Sequence, residues 1–167
     1  MQKSGCTSKV LLCGHSGAKS LNEGWKAFQN MLQYGRPKHL IWSLGMNDLD
    51  DETGFADNPE SGTISEKWAA GINIVSGLCK QFGVTLVLTT IPSAYLRNHE
   101  YKNKWIRESG YLYIDFAKAV NAHIDDDGFG VWDEGLRENE TKGLHPSRLG
   151  ARLLWCQVMI DFPQICK

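Results

Sequence analysis

The chain has 167 residues, with 18 lysines and arginines against 19 aspartates and glutamates, for a formal net charge of −1. That length suits a single domain, residues 1–167, large enough to bury about two thirds of its unfolded surface without disulfides or metals, and the balanced charge without a basic run argues against nucleic acid as a partner. Residues 1–9 are polar and lack the apolar centre of a signal peptide, and no apolar stretch approaches the ~20 residues of a membrane span, so the chain as written reads as cytoplasmic.

Val10 to Cys13 is a short apolar strand. After Gly14-His15-Ser16-Gly17, Ser20 and Glu23 form a capping box, and Leu21, Trp25, Phe28 and Leu32 mark the buried face of the helix it opens. Gly35-Arg36-Pro37 ends that helix, and His39 to Leu44 forms the second strand. The polar stretch from Asp50 to Gly62 is a surface loop. Thr63 and Glu66 make a second capping box, for a helix carrying Trp68, Ile72, Val75, Cys79 and Phe82, and Gly83 stops it ahead of the strand Val84 to Thr90. Asn98 caps a helix running through Trp105, a strand spans Leu112 to Asp115, and a helical turn runs from Phe116 to about Val120. An irregular acidic segment continues to about Lys142, before a last helix from Ser147 to about Ile160.

Strands separated by helices run parallel through right-handed crossovers, so this order predicts an α/β fold, a three-layer α/β/α sandwich whose mostly parallel, doubly wound sheet is flavodoxin-like. All strand C-termini then open on one edge. Gly14 to Gly17, Gly45 to Asp48 and Pro92 to Arg97 follow strands and converge there, with His145 brought in by the final loop.

Two segments carry chemistry. Gly45-Met46-Asn47-Asp48 places an asparagine amide directly behind an apolar strand, and Gly143-Leu144-His145-Pro146-Ser147 puts a histidine just before a helix start. A neutral amide aimed at a developing oxyanion and a histidine base are the parts that acyl transfer requires. On these blocks the sequence resembles the SGNH, or GDSL-like, hydrolases, whose motifs hold a nucleophilic Ser, an oxyanion Gly, an oxyanion Asn and a D-x-x-H pair. Thr89-Thr90-Ile91-Pro92 and the segment from Trp105 to Phe116 add to the likeness, which runs from about Val10 to Ile165.

The resemblance implies a serine hydrolase that cleaves acyl or acetyl groups from a carbohydrate or lipid, without a cofactor or metal. Its substrate is a small-molecule ester or an acylated carbohydrate. Asn47 and Gly17 take the oxyanion positions and His145 that of the base. Two departures weaken the machinery. Lys142 occupies the position of the family's Asp, leaving Glu138 or Glu140 as substitutes. Gly14-His15-Ser16 is the nearest match to G-D-S, and Ser16 precedes Asn47 by 31 positions (47 minus 16), room for one helix and one strand. Either Ser16 is the nucleophile and the Gly block is deleted, or Gly17 belongs to the Gly block and the Ser block with its strand–helix unit lies upstream of Met1. The second arrangement makes the domain N-terminally incomplete and leaves secretion possible through a missing leader. The expected activity is weak or absent; the alternative function is a non-catalytic relative that binds a carbohydrate or a protein through the same pocket.

Other residues carry less. His123, Asp125, Asp127 and Glu134, with Gly128, partly match a calcium loop, but a histidine stands where the first oxygen ligand belongs. His15 and His39 are lone histidines near strand ends, and Trp42, Trp68, Tyr95, Trp105 and Trp132 are core or sugar-stacking candidates, with Trp68 on a core stripe. The five cysteines form no C-x-x-C pair and read as buried free thiols in a reducing compartment.

Overall fold

The structure, a computed structural model, describes residues 9, 17–48, 65–94, 98–138 and 145–166. Three strands, β1 (His39–Trp42), β2 (Thr85–Thr89) and β3 (Leu112–Ile114), form one sheet in that order, with both pairings parallel. Registers are set by His39 against Thr85 and Val87 against Leu112. The expected first strand, Val10 to Cys13, falls outside the described residues, as do the loop from Asp50 to Gly62 and Tyr95.

Side-chain alternation along β2 shows why the sheet is sandwiched. Leu86 and Leu88 join Phe28, Met31, Trp68, Ile72, Val75 and Cys79 on one face, with Ile106. Val87 turns the other way and joins Ile114, Val158 and Phe162. A strand buried on both faces has to be apolar throughout, as Leu86-Val87-Leu88 is. The first face is covered by α1 (Trp25–Tyr34), α2 (Glu66–Phe82) and α3 (Glu100–Glu108), and the second by α5 (Arg148–Asp161). The α/β sandwich expected from the element order is therefore present. A short helix, α4 (Phe116–Ala119), follows β3, and a 3₁₀ turn, Pro163–Cys166, follows α5.

Several boundaries differ from expectation for physical reasons. The first helix opens with a five-residue π-helical stretch, Ser20–Gly24, closed by Gly24 N–H to the Lys19 carbonyl at 3.1 Å. This wider turn shifts the cap by one residue: the Glu23 carboxylate reaches back to Lys19 N–H at 3.0 Å, and the Ser20 hydroxyl is used elsewhere. α2 is capped by Ser65, which accepts from Trp68 N–H at 3.4 Å, and not by Thr63, which lies outside the described residues. Gly83 does end α2, at φ +68°. α3 starts one residue after His99, with the Asn98 side chain accepting from Glu100 N–H at 2.9 Å, and runs to Glu108. The segment expected to be irregular contains a hairpin, β4 (His123–Ile124) with β5 (Gly130–Val131). Two-residue strands are too short to leave an alternation in sequence. The cysteine expectation also needs correcting: Cys79 is buried and free, Cys156 is exposed and free, and Cys166 is disulfide-bonded.

Candidate active site

The glycine segment and the asparagine segment meet at the C-terminal edge of the sheet. Behind β1 the chain turns sharply, with Asp48 N–H donating to the Gly45 carbonyl at 3.3 Å, so Met46 and Asn47 sit at the centre of a tight turn. Glycine is required at its start: Gly45 has φ +126°, and a Cβ there would fall 2.4 Å from Ile91 Cδ1. The turn aims the Asn47 amide at the segment before α1, where Nδ2 donates to the Ala18 carbonyl at 3.3 Å. Gly17, the next residue back, is exposed at φ +69°, and a Cβ at that position would meet none of the described residues within 4 Å. Its backbone is therefore open to approach.

Asp48 fixes the two segments together. It is fully buried, and its carboxyl accepts the Ser20 N–H at 2.9 and 3.2 Å, as well as the Ser20 hydroxyl. The Asp48 carbonyl accepts from Lys102 Nζ at 3.4 Å, and that ammonium lies 5.9 Å from the centroid of the Trp68 ring. Lys102 and His99 are both fully buried, and His99 Nε2 is 3.3 Å from Met46 Sδ. Met46 is the residue beside Asn47, so α3 supports the turn from below.

A second set of bonds shapes the loop after β2. Asn103 clamps Ile91, accepting its N–H at 2.6 Å and donating to its carbonyl at 2.8 Å. Thr90 Oγ1 donates to Asp115 Oδ1 at 2.9 Å and accepts from Ala117 N–H at 2.8 Å. Arg107 grips both oxygens of Asp115, each at 3.0 Å. Burial pushes the Asp115 carboxyl up, but the hydrogen bonds from Arg107, Thr90 and the Lys118 amide, with the Arg107 charge, hold it below its ordinary value. The same bond to Asp115 raises the Arg107 guanidinium.

His145 is exposed, on a segment paired with residues 136–138, which follow the β4–β5 hairpin. Gly130 of β5 packs so closely on the loop after β2 that a Cβ would meet Ala94 N at 2.3 Å, and Trp132 Nε1 donates to the Ser93 carbonyl at 2.8 Å. From the hairpin the chain runs to Leu136, whose carbonyl accepts from Ser147 N–H at 2.8 Å. Glu138 N–H donates to the His145 carbonyl at 3.1 Å. Ser147 then caps α5, accepting from Gly150 N–H at 3.1 Å.

Of the sequence-derived site residues, Gly17 and Asn47 thus come together, and His145 sits on a loop tied to the segment after β2. Ser16, Glu140 and Lys142 lie outside the described residues, as does His15. Trp42, Trp68 and Trp132 are buried, which makes them packing residues, and Trp105 stacks edge-on to Trp68 at 5.6 Å. His39 begins β1, at the opposite edge, packed against Phe162; burial and the Lys38 charge lower its pKa. The acidic turn uses its carboxylate internally: Asp125 Oδ1 accepts from the Asp127 and Phe129 amides at 3.1 and 2.7 Å, and the His123 ring faces the Asn121 carbonyl. Among the described residues, no group of three or more His, Cys, Asp or Glu is arranged to hold a metal. A cleft of about 490 Å³ opens at the N-terminal edge, between Cys79 and Lys80 of α2 and Gly110-Tyr111. Burial pushes the Cys79 thiol there up to about 11, which leaves it protonated and unreactive near neutral pH.

The sequence alone assigns no role to Asp48, Lys102, Asn103 or the Arg107–Asp115 pair. Asp48 is visible beside Asn47, but nothing in the order of residues shows that it meets Ser20.

No family model matches the chain, and no curated protein matches it. Solved structures do. A G-D-S-L family protein from Desulfitobacterium hafniense, assigned as lipolytic, superposes with a TM-score of 0.63 at 18% identity, covering 87% of this chain and 77% of that one. A GDSL-like lipase from Bacteroides thetaiotaomicron gives 0.61 at 13% identity, over 89% and 73%. A protein from Bacteroides fragilis assigned as an acylhydrolase gives 0.61 at 14% identity, over 90% and 73%. The chain has the GDSL-like hydrolase fold. Among the described residues, no helix is long and apolar enough to cross a membrane.

Proposed function

We propose that the chain is an ester hydrolase of the SGNH type, acting on acyl or acetyl groups of a carbohydrate or lipid with low turnover. The observation that supports this most is the Asn47 amide turned onto the carbonyl next to Gly17. It gathers a side-chain donor and an open glycine backbone at one point, behind the strand ends where sheets of this class keep their chemistry. In this reading Ser16 Oγ attacks the ester carbonyl carbon while His145 takes its proton. The oxyanion of the tetrahedral intermediate accepts from Gly17 N–H and Asn47 Nδ2, and the imidazolium returns the proton to the leaving alcohol as the ester C–O bond breaks, which leaves the acyl–serine. Water repeats the cycle to release the acid. Lys142, an ammonium where the family's motif has an acceptor for the imidazole, is what keeps turnover low.

Hydrolysis of an activated acetyl ester tests it. The expected rate is about 10³ to 10⁴ over the uncatalysed reaction, the level that an oxyanion hole sustains when a triad is impaired. Asn47→Ala lowers it by about 10²-fold, the usual effect of losing one oxyanion donor. A rate unchanged by Asn47→Ala removes the reading. Fluorophosphonate labelling that disappears in Ser16→Ala would support Ser16 as the nucleophile, and labelling that survives the substitution would remove that assignment. Lys142 also favours a second reading, a non-catalytic relative that binds an acylated carbohydrate in the same place. Saturable binding of such a sugar without any turnover would establish it.

A further inference from the structure

Four side chains on one stripe of α3 and its N-cap are fully buried: His99, Lys102, Asn103 and Ile106. A core-facing stripe at this spacing is ordinarily apolar, yet here only Ile106 is. The three polar members each reach a loop at the C-terminal edge of the sheet. His99 Nε2 lies 3.3 Å from Met46 Sδ, and Lys102 Nζ donates to the Asp48 carbonyl at 3.4 Å. Asn103 accepts from Ile91 N–H at 2.6 Å and donates to the Ile91 carbonyl at 2.8 Å. Ile91 in turn closes on Gly45, where a Cβ would fall 2.4 Å from its Cδ1. The four-residue turn around Asn47 is thus held at its entry by Ile91, at Met46 by His99 and at its exit by Lys102.

Resting on the reading of Asn47 as an oxyanion donor, we infer that Lys102 is a positioning residue for it: the buried ammonium fixes the exit of the turn, and with it the direction of the Asn47 amide. Taking an ammonium out of water is costly, and an apolar side chain of similar length would fill the space beside the Trp68 ring without that cost. What a hydrocarbon cannot do is donate to the Asp48 carbonyl, and a bond from a charged donor is about twice as strong as one from a neutral donor. Ser20 holds the Asp48 carboxyl from the start of the first helix, and Lys102 holds the Asp48 carbonyl from α3, so the residue after Asn47 is gripped between two elements. An oxyanion donor contributes only while it is aimed at the developing charge, and a displacement of about 1 Å caused by a remote substitution can cost about 10²-fold in rate. Being fully buried, Lys102 acts through the turn and does not touch substrate.

The test uses the full chain as wild type, Lys102→Met, Lys102→Arg and Lys104→Met, the last at an exposed lysine of the same helix. In ¹⁵N spectra the Asn47 side-chain amide pair is recognised by its absence from Asn47→Ala, and its shift and solvent exchange are followed. Lys102→Met is expected to move that pair and speed its exchange while backbone protection in β2 is kept. Lys102→Arg, which retains a charged donor, stays closer to the wild type, and Lys104→Met leaves the pair unmoved. Turnover of an activated acetyl ester reads the same effect: Lys102→Met lowers kcat about 10-fold, short of the about 10²-fold of losing the donor outright, with KM held within about twofold. In the wild type itself the Lys102 ammonium is expected to give a slowly exchanging ¹⁵N signal in contact with the Trp68 ring, a measurement that needs no variant to fold. An Asn47 amide unmoved by Lys102→Met, an equal response to Lys104→Met, or a Lys102 ammonium in fast exchange with solvent overturns the inference, and so does a raised KM with kcat kept. The amide readout needs no turnover: a response in a chain without esterase activity upholds the positioning and removes the hydrolase reading, while activity without a response removes only the positioning.

Discussion

Replacing Arg107 with methionine keeps the aliphatic stem against the sheet and removes the guanidinium that holds Asp115. Two hydrogen bonds of 3.0 Å are lost, both to a charged acceptor. Breaking a buried ion pair costs about 3–5 kcal/mol, but the Arg107 side chain is 33% exposed, so water already shares its charge and the figure must be reduced. Asp115 also keeps its bonds from Thr90 Oγ1 and the Lys118 amide. The expected loss at neutral pH is therefore about 1.5–3 kcal/mol. The acid side gives a second signature. Asp115 is held below its ordinary value of 3.8, so its stabilisation is fully present above that pH and is lost as pH falls through the lower, folded value. The wild type should lose stability below about pH 4 more steeply than Arg107→Met, and the two should converge in acid. Urea unfolding followed by circular dichroism from pH 7 to 3 measures both effects. A loss under about 0.5 kcal/mol at pH 7, or a gap between the proteins that stays constant into acid, would refute the assignment of Asp115 and Arg107 as a coupled pair.

Gly130→Ala drives a methyl to within 2.3–2.7 Å of backbone atoms of Ser93 and Ala94, and should cost about 1–3 kcal/mol or more; an unchanged melting temperature would contradict the close approach. Ser65→Ala removes the cap of α2 and should cost about 1 kcal/mol in urea unfolding, with equal midpoints counting against it. Asp48→Asn turns an amide group toward the Ser20 donors, for about 1–3 kcal/mol, and should speed hydrogen exchange of the Ser20 amide; undiminished protection there would show that the bond does not anchor α1.

How far the sequence can be read depends on the range of each interaction. The α2–β2 unit is legible because its signals are local: a helical stripe from Trp68 to Cys79, Gly83 at its end, and an unbroken apolar run after it. The Asn47 turn is legible because it follows a strand directly. Ser20 reads as a cap because its true partner is 28 residues away, on Asp48, and no spacing rule connects them. The β4–β5 hairpin escapes notice because its strands hold two residues each and its turn is set by the Asp125 side chain. Nothing in the sequence sets Lys102 apart from Lys104, two residues on; only the fold buries the first and leaves the second exposed.

The parallel sheet also dictates an order of assembly. Pairing β2 with β3 joins Val87 to Leu112, a separation of 25 residues (112 minus 87), whereas pairing β1 with β2 joins His39 to Thr85, a separation of 46 (85 minus 39). Closing the shorter loop costs less chain entropy, and the shorter unit carries its own fastenings, the Asn103 clamp on Ile91 and the Arg107–Asp115–Thr90 bracket. Residues 85–115 are thus expected to nucleate folding, with β1 and the Ser20–Asp48 tie added afterwards. Substitutions in the bracket should then slow folding, while those at the Ser20–Asp48 tie should mainly speed unfolding. Of the described strands, β1, which leads into the Asn47 turn, is on this account the last to join the sheet and the first to let go.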